Sequence, residues 1–384
     1  MKLLRVIHTI APQSGGPIEG LKQSSKIMAE LGVTVEIASL DCPDAVASEA
    51  QSLPWQVHAL GPGRFGSYSY SKKLRIWLTA HACDYDAVII HGNWQYHGLA
   101  SANACIQHNV PYFIFPHGML DPWFNKTYPL KKLKKQLYWI YEYRVLKNAA
   151  AVLFTCAEEC RLARKSFSPY SVTEQVVGYG TVAPEINRDE LIRQFQSDTP
   201  DWGQQPFLLF MSRIQEKKGL DLLVESYAEL RKSHPGAPNL VIAGPEQQPE
   251  YADRIRAQFD QSGIHWIGSL LGIDKWKALA ASEALVLPSH QENFGIVVAE
   301  ALAVGTPTLI SNKVNIWNEI QSGGAGLVQD DTLVGTEALL STWHSLTEDQ
   351  RSAMSQAALD VFKAHFDISE STKRLVATIH SHIH

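Results

Sequence analysis

The chain has 384 residues, of which 45% are hydrophobic and 19% are charged, and its formal net charge is −5. This length is comfortable for two domains, and the composition is that of an ordinary soluble globular protein. The negative charge argues against a general nucleic-acid-binding protein, because such proteins need a positive surface to meet the phosphate backbone.

The cysteines and the apolar runs bear on the cellular compartment. All five cysteines lie in the first half of the chain, and none belongs to the C-x2-C pair of a structural metal site. We therefore expect free thiols in a reducing compartment. Residues 1–12 read as a first strand rather than a signal peptide, and no apolar run approaches the length of a membrane span. These features predict a cytoplasmic protein that at most contacts the inner face of the membrane.

The first half of the chain begins with a strand over 3–10, which leads into a glycine-rich loop and then a helix over 19–31. The loop contains Gly15 and Gly16 but lacks the G-x-G-x-x-G pattern of dinucleotide-binding proteins. Two interpretations of the glycine pair stay open at this point: a plain turn, or a place where the backbone approaches a phosphate.

Polar residues follow two of the later strands directly. His91 and Asn93 come at the end of the apolar run within 86–98, and His117 follows the strand that begins at 111. Ligands of open α/β sheets bind at the carboxyl ends of the strands, so these residues are candidates for a site. For His91 the rival interpretation is a structural histidine that is hydrogen-bonded within the protein.

Residues 126–147 form a distinct piece in which lysines alternate with leucines and aromatic residues. A basic amphipathic helix of this kind can lie on an anionic membrane surface. The alternative is a packed helix with a solvated basic face, and the sequence does not decide between the two.

A polar stretch over 188–205, with Pro200 and Gly203, precedes a second series of strands and helices and is the predicted domain boundary. The first strand of this series, over 207–211, is followed by Arg213 and Lys218, just before a helix over 219–232. Two cations beside a helix N-terminus can neutralise a diphosphate leaving group. The alternative is solvated surface charge.

The most informative stretch is 289–311, which reads as a polar loop, a helix over 296–304 and a further strand. It carries two carboxylates, Glu292 in the loop and Glu300 within an apolar helix, where an unpaired buried carboxylate would be costly. In a continuous helix they would lie about 12 Å apart, roughly the span from hexose to ribose in a nucleotide sugar. Gly295 permits a close backbone approach, and the N–H groups of 294–297 suit a diphosphate. Solvent-facing glutamates are the alternative.

Two motifs in these stretches resemble those of retaining glycosyltransferase family four. They are S-x-x-E-x-F-G followed by the E-x7-E spacing in 289–300, and R-x4-K-G in 213–219. The resemblance implies the GT-B fold, an α/β architecture of two Rossmann-like domains that face each other across a cleft. The N-terminal, acceptor-side domain would span 1–195, and the C-terminal, donor-side domain 203–365. A last helix, about 366–384, would cross back to the first domain.

The resemblance also implies roles for single residues. His117 would lie near the transferred sugar, Arg213 and Lys218 at the leaving diphosphate, and Glu292 at the sugar hydroxyls. These four form the predicted catalytic set, whereas His91 and Asn93 are candidates on the acceptor side. Glu300 would bind the ribose hydroxyls and Leu270 the base. The predicted donor-binding residues are Gly15, Gly16, Gly244, Leu270, Glu292, Asn293, Phe294, Gly295, Ile296, Val297 and Glu300.

The implied reaction is transfer of a hexose, with retention of anomeric configuration, to a hydroxyl of a saccharide or lipid-linked saccharide in polysaccharide biosynthesis. UDP-glucose is the first choice of donor, ahead of UDP-galactose, UDP-GlcNAc and GDP-mannose. We expect no metal and no other cofactor, since no D-x-D motif follows a strand. The alternatives are a nucleotide-sugar epimerase of the same architecture and a non-catalytic nucleotide-sugar-binding protein. A phosphorylase or a dehydrogenase fits the sequence less well.

Overall fold

The computed structural model describes residues 1–11 and 16–383, and these form two α/β units. The first unit consists of Met1–Tyr179 together with the C-terminal stretch that begins at Ile368, and the second unit is Gly180–Asp367.

The first unit is built on a parallel seven-stranded sheet. Its strands are β1 (Lys2–Ile7), β2 (Thr34–Ser39), β3 (Gln56–Ala59), β4 (Ala87–His91), β5 (Tyr112–Phe115), β6 (Ala151–Phe154) and β7 (Glu174–Val176). Its helices in chain order are α1 (Gly16–Glu30), α2 (Ala47–Ser52), α3 (Lys72–His81), α4 (Tyr96–His108), α5 (Pro122–Thr127), α6 (Pro129–Lys147) and α7 (Ala157–Ala163). The strand order β3-β2-β1-β4-β5-β6-β7 is the Rossmann order, which reverses direction between β1 and β4.

The apolar runs recognised in the sequence are the central strands of this sheet. Every residue of β4 and β5 is buried, because helices cover both faces of a parallel sheet of this kind. The strands end where the apolar run ends, so the polar residues that follow lie together at the carboxyl edge of the sheet.

The second unit repeats the arrangement with six parallel strands. They are β8 (Phe207–Met211), β9 (Asn239–Ala243), β10 (Ile264–Gly268), β11 (Ala284–Leu287), β12 (Thr308–Ser311) and β13 (Gly326–Gln329). The helices are α8 (Arg188–Asp198), α9 (Leu220–Ser233), α10 (Pro249–Gln258), α11 (Gly272–Ala281), α12 (Ile296–Ala303), α13 (Trp317–Ser322), α14 (Leu333–Ser345) and α15 (Glu348–Val361). The order β10-β9-β8-β11-β12-β13 again reverses at its first strand, here between β8 and β11.

The last helix, α16 (Ile368–His380), belongs to the first unit. Its apolar face carries Leu375 and Ile379, which are buried in the same core cluster as Leu3 of β1. The structure therefore groups this C-terminal stretch with the N-terminal part of the chain.

The division between the units differs from the predicted boundary. We expected a linker over 188–205, but the chain passes into the second unit after Tyr179, and 188–198 forms α8. Asn187 caps this helix by accepting a hydrogen bond from the Glu190 N–H at 2.9 Å. Phe195 of α8 is buried and stacks on Phe207 at 5.3 Å. The polar composition of α8 comes from its exposed face, which is why the sequence was misread as a linker.

No helix in the described part of the chain is long and apolar enough to cross a membrane.

Candidate active site

The predicted cationic and acidic residues of the second unit follow two strands that are neighbours in its sheet. Arg213 and Lys218 come after β8, and Glu292 comes after β11, which pairs directly with β8. Because the strand order reverses between these two strands, their carboxyl ends flank the position where open α/β sheets bind ligands. The topology therefore brings together residues that are 74 or more positions apart in the sequence.

Lys218 and Glu292 form an ion pair at this point. The Nζ of Lys218 donates to Oε2 of Glu292, and the lysine side chain is only 3% exposed. The backbone of Glu292 is held as well: its N–H donates to Lys313 O at 2.9 Å, and its carbonyl accepts from the Asn315 N–H at 3.0 Å. The carboxylate therefore projects from a loop that is fixed on both sides of the peptide.

The charge of Glu292 is stabilised by its surroundings. Burial acts to raise the pKa of this carboxyl, but the positive charges of Lys218, Lys217 and Arg213 outweigh burial and lower the pKa below its ordinary value. Glu292 is therefore ionised at neutral pH, as an acceptor of hydrogen bonds from sugar hydroxyls must be. Arg213 itself is exposed and carries its charge to the surface of the site.

The helix after Glu292 begins as predicted, at a glycine in the left-handed region. Gly295 has φ of +70°, and a Cβ there would lie 3.1 Å from Cγ of Glu292. Ile296 and Val297 are the first residues of α12, so their amides belong to the end of the helix that carries a partial positive charge. The side chain of Phe294 is buried and packs edge-on against Phe366 at 5.6 Å, so it belongs to the packing of this loop.

The second predicted carboxylate, Glu300, is buried in α12 and pairs with a residue that the sequence did not indicate. Lys275 of α11 donates from Nζ to Oε1 of Glu300 at 2.5 Å, and Glu300 is 4% exposed. The ion pair explains how an acid is tolerated among the apolar residues of α12. Because the helix begins only at Ile296, the segment from Glu292 to Glu300 is not continuously helical, contrary to the assumption behind the predicted spacing.

Packing explains why position 244 is a glycine. Its φ is +144°, a Cβ would lie 1.8 Å from Ser212 O, and its N–H already donates to Gly268 O at 2.7 Å. The backbone approach at this strand end is therefore an internal one. Leu270 lies in the loop between β10 and α11, and Asn293 in the loop before α12.

Of the predicted glycine pair, Gly15 lies outside the described residues. Gly16 is the first residue of α1, and its carbonyl accepts a hydrogen bond from the Tyr179 hydroxyl at 2.9 Å.

In the first unit, the two predicted histidines are connected to each other and to an arginine of β1. Arg5 Nε donates to His91 Nε2 at 3.2 Å, and His91 Nδ1 lies 3.0 Å from His117 Nε2. Arg5 is 2% exposed, and its Nη1 also donates to Leu21 O at 3.2 Å and to the hydroxyls of Ser24 and Ser25 at 2.7 and 2.9 Å. We call Arg5, His91 and His117 the histidine chain.

The histidine chain fixes where the protons lie. An arginine has only donors, so Nε2 of His91 must accept, and a neutral His91 then carries its proton on Nδ1. That proton is donated to Nε2 of His117, so a neutral His117 carries its own proton on Nδ1. His91 has both ring nitrogens engaged by protein groups and is 4% exposed, and its assignment to the acceptor side stays a prediction.

Both imidazoles are held in the neutral form. Burial is the main cause, and the positive charge of Arg5 adds to it, so the pKa of His117 falls to about 3 and that of His91 well below its ordinary value. The two ring planes are nearly parallel, 13° apart, and the rings lie edge to edge with 5.3 Å between their centres.

The backbone at His117 is unusual. Its φ is +50°, in the left-handed region that few non-glycine residues adopt, and the next residue, Gly118, also has positive φ. The turn is held from below by Glu159, which accepts from the Gly118 N–H at 2.6 Å and from the Thr155 N–H at 2.8 Å. Strain of this kind persists where surrounding contacts dictate it, and such places are often functional.

Asn93 lies beyond the end of β4 and contacts a buried acid that the sequence did not indicate. Its Nδ2 donates to Oε1 of Glu142 at 2.6 Å. Burial raises the pKa of Glu142 to about 7, although the bond from Asn93 acts in the opposite direction. Within residues 1–11 and 16–383, the Oδ1 of Asn93 is buried without a hydrogen-bond partner.

Comparison with known families gives one match in each half of the chain. A sequence profile for glycosyl transferases group 1 matches residues 192–359, and one for the glycosyl transferase 4-like domain matches residues 15–180. The chain belongs to the group 1, family-four type of glycosyltransferases. The resemblance seen in the two motifs is confirmed.

Sequence relatives are distant and match over part of their length. A glycogen synthase from Mycobacterium tuberculosis is 33% identical over 121 residues, which is 31% of this chain and 29% of that protein. A D-inositol 3-phosphate glycosyltransferase from Jonesia denitrificans is 25% identical over 255 residues, 63% of this chain and 60% of that protein. The chain thus spans less than two thirds of the length of these relatives.

Solved structures match the whole chain. Anabaena HepE in complex with UDP superimposes with a TM-score of 0.78 at 15% identity, over 99% of this chain and 100% of that one. WaaG, a glycosyltransferase involved in lipopolysaccharide biosynthesis, gives 0.70 at 17% identity, over 97% and 98%. The predicted GT-B class, with two Rossmann-like units, is confirmed.

Proposed function

We propose that the protein is a retaining glycosyltransferase that moves a hexose from a nucleotide sugar to a hydroxyl of a saccharide or lipid-linked saccharide in polysaccharide biosynthesis. The observation that carries this proposal is the Lys218–Glu292 ion pair. Glu292 lies in the loop just before the N-terminus of α12, and the strand order of the sheet reverses here, between β8 and β11. Cations, an ionised carboxylate and helix N–H groups are the groups that a sugar diphosphate requires.

In the proposed reaction, the bond between the anomeric carbon and the diphosphate oxygen breaks, and its electron pair leaves with the diphosphate. The acceptor oxygen bonds to the same face of the anomeric carbon, and its proton passes to the leaving phosphate. Arg213 and Lys218 stabilise the charge that develops on the diphosphate. Glu292 holds the sugar hydroxyls and Glu300 the ribose hydroxyls, while the Nδ1–H of His117 donates to the transferred sugar or to the acceptor.

UDP-glucose is the proposed donor. The support is by similarity: HepE, with a TM-score of 0.76 over 99% of this chain, was solved in complex with UDP-glucose. We further propose that no divalent metal takes part and that fixed cations stabilise the leaving group. The enzyme would act in the cytoplasm, with 126–147 against the inner face of the membrane.

The test is a donor panel of UDP-glucose, UDP-galactose, UDP-GlcNAc and GDP-mannose, scored by thermal shift and by release of the nucleoside diphosphate. A selective donor raises the melting temperature by mass action and is hydrolysed slowly without an acceptor. NMR of the product linkage then distinguishes retention from inversion, and activity in EDTA tests the absence of a metal. Formation of an isomeric nucleotide sugar from donor alone would instead establish an epimerase, and binding without any turnover would establish a binding protein.

A further inference from the structure

Two adjoining cavities in the first unit are lined mostly by residues that have no role in the proposed reaction. The larger has a volume of about 690 Å³ and the smaller about 250 Å³, and both are lined by Ser67, Trp94 and Lys135. Since these three side chains border both, the two cavities are direct neighbours, and we refer to them together as the groove.

The larger cavity of the groove combines positive charge with an apolar wall. Lys131, Lys134 and Lys135 of α6 line it, together with Leu99 and the aromatic rings of Tyr68, Trp94, Tyr138 and Tyr141. The hydroxyls of Tyr68 and Tyr138 are 3.0 Å apart, so the wall is a bonded unit. A ligand that satisfies both surfaces must carry an anion and a hydrocarbon segment.

Lys135 is the cation of this wall that borders both cavities. Its Nζ lies 4.6 Å from the centre of the Trp94 ring and 5.7 Å from that of Phe124. Burial lowers its pKa to about 8, although the nearby Glu142 acts to raise it. A cation that is already partly desolvated binds an anion more strongly than one in bulk water.

The outer surface of α6 explains how a hydrocarbon chain would leave the groove. Four apolar side chains on this helix, at spacings of three, four and three residues, are between 63% and 84% exposed: Leu130, Leu133, Leu137 and Ile140. A stripe of this length on one face of a helix, beside lysines, is typical of a helix that lies on an anionic bilayer. The helix that lines the groove thus also presents an apolar face to a membrane.

The smaller cavity of the groove reaches the residues that follow β4. Asn93, Gln95 and Met119 line the smaller cavity. Asn93 is 2% exposed, and its Oδ1 is buried without a hydrogen-bond partner among the described residues, so a donor brought there by a ligand would satisfy it. Met119 follows His117 by two residues, which puts this end of the groove beside the histidine chain.

We propose that this groove binds the acceptor as an amphiphile, in which a phosphate or diphosphate joins a saccharide to a linear hydrocarbon. The phosphate meets Lys131, Lys134 and Lys135. The hydrocarbon lies on the aromatic wall and continues into the bilayer beside α6, and a sugar hydroxyl donates to Oδ1 of Asn93. This inference rests on the proposed glycosyltransferase function and specifies the class of its acceptor.

The experiment measures binding of farnesyl phosphate by calorimetry, with farnesol and inorganic phosphate as probes that lack one half of the ligand. We expect farnesyl phosphate to bind at least tenfold more tightly than either probe. Lys135→Met keeps the apolar stem and removes the charge, and we expect it to weaken binding at least tenfold. Lys132→Met is the matched control, because Lys132 is exposed on the same helix but does not line the groove.

A second variant, Lys131→Met with Lys134→Met, changes only exposed side chains and so keeps the test valid if Lys135→Met fails to fold. Thermal shift with UDP-glucose on the same samples separates this inference from the proposed function, because a variant that loses only the amphiphile keeps its response to the donor. Equal binding of farnesol or of inorganic phosphate would overturn the inference. So would binding to phosphatidylglycerol-containing vesicles without binding of farnesyl phosphate, which would assign α6 to the bilayer surface alone.

Discussion

Arg5 and His91 are hydrogen-bonded inside the first unit, with the guanidinium Nε as donor and the imidazole Nε2 as acceptor at 3.2 Å. The direction of this bond is fixed, because an arginine side chain cannot accept a hydrogen bond. Through His91 it determines that His117 carries its proton on Nδ1. An arginine in the middle of β1 therefore determines which nitrogen of His117 is the donor, although His117 follows β5, two strands away in the sheet.

The first prediction concerns this relay. His91→Phe keeps an aromatic ring beside Phe115 and His117 but removes both hydrogen bonds of the imidazole. We expect kcat to fall roughly tenfold or more, with the KM for UDP-glucose unchanged, because a donor of defined direction is lost in the transition state. In ¹⁵N NMR, the imidazole of His117 should change from a single tautomer to a mixture.

The control for the relay is His108→Phe, at a partly exposed histidine on α4 that lies outside the histidine chain. It should leave kcat and the His117 spectrum unchanged. If His91→Phe lost stability but kept both the rate and the His117 tautomer, the role of His91 would be packing alone.

The second prediction concerns the Lys218–Glu292 ion pair. Lys218→Met and Glu292→Gln should each destabilise the protein by about 3 kcal/mol, because each leaves a mostly buried charge without its partner. The double variant should be less destabilised than the sum of the two, while all three lose transfer activity. Urea unfolding of the four proteins gives the coupling free energy.

The surface pair Lys232–Glu229 provides the comparison for this cycle, with both side chains more than half exposed. Lys232→Met should change stability far less than Lys218→Met. Additive effects of Lys218→Met and Glu292→Gln on stability would contradict a coupled pair.

Most of the fold was predictable because its signal is local. Apolar runs that end on polar residues identified the central strands of both sheets, and glycines placed the start of α12. The boundary was not predictable in the same way: 188–198 has a mainly polar composition, and only Leu191 and Phe195 face inward. Two buried residues on one helical face give only a weak periodic signal. The proline and the glycine that follow them indicate a linker more strongly.

The candidate site was predictable as far as its motifs extend. Glu292 and Lys218 were predicted from the spacing of their motifs, and His117 was predicted because it follows a strand; both are properties of the sequence. Lys275 and Glu142 were not found, since their partners lie 25 and 49 residues away and meet them only in the folded chain. For Arg5 a signal did exist: a charged residue in the middle of an apolar strand needs buried partners, and Ser24 and Ser25 on the next helix supply them.

The third prediction separates two roles of Glu300. If its carboxylate binds the ribose hydroxyls, Glu300→Gln should weaken UDP binding roughly tenfold with little change in kcat, since one charged hydrogen-bond acceptor is lost. Lys275→Met breaks the same ion pair but keeps the carboxylate. It should therefore lower stability while UDP affinity stays close to that of the wild type.

Calorimetric titration of UDP into the three proteins measures this difference directly. Equal losses of UDP affinity in Glu300→Gln and Lys275→Met would mean that the ion pair matters only for the shape of α12.

The fourth prediction is a pH dependence of stability that comes from the buried histidines. The pKa of His97 is lowered by burial to about 4 and that of His117 to about 3, from an ordinary value of 6.5. Above pH 6.5 these rings are neutral both in the folded protein and in the unfolded chain. Below it the unfolded chain takes up protons that the folded protein does not, so the free energy of unfolding must fall as the pH falls from about 6.5 towards 4.

The magnitude is about 1 kcal/mol per pH unit for each such histidine. Glu142 acts in the opposite sense, because its raised pKa, about 7, lets the folded protein hold a proton that the unfolded chain has released. Urea unfolding between pH 7 and 5 should therefore show a smaller slope in His97→Gln than in the wild type, and a steeper one in Glu142→Gln. His380→Gln, at an exposed position on α16, should leave the slope unchanged. His97 donates from Nε2 to His91 O at 2.8 Å, next to the histidine chain. An unaltered slope in His97→Gln would mean that this ring is protonated in the folded protein. The buried rings around the histidine chain would then not be neutral.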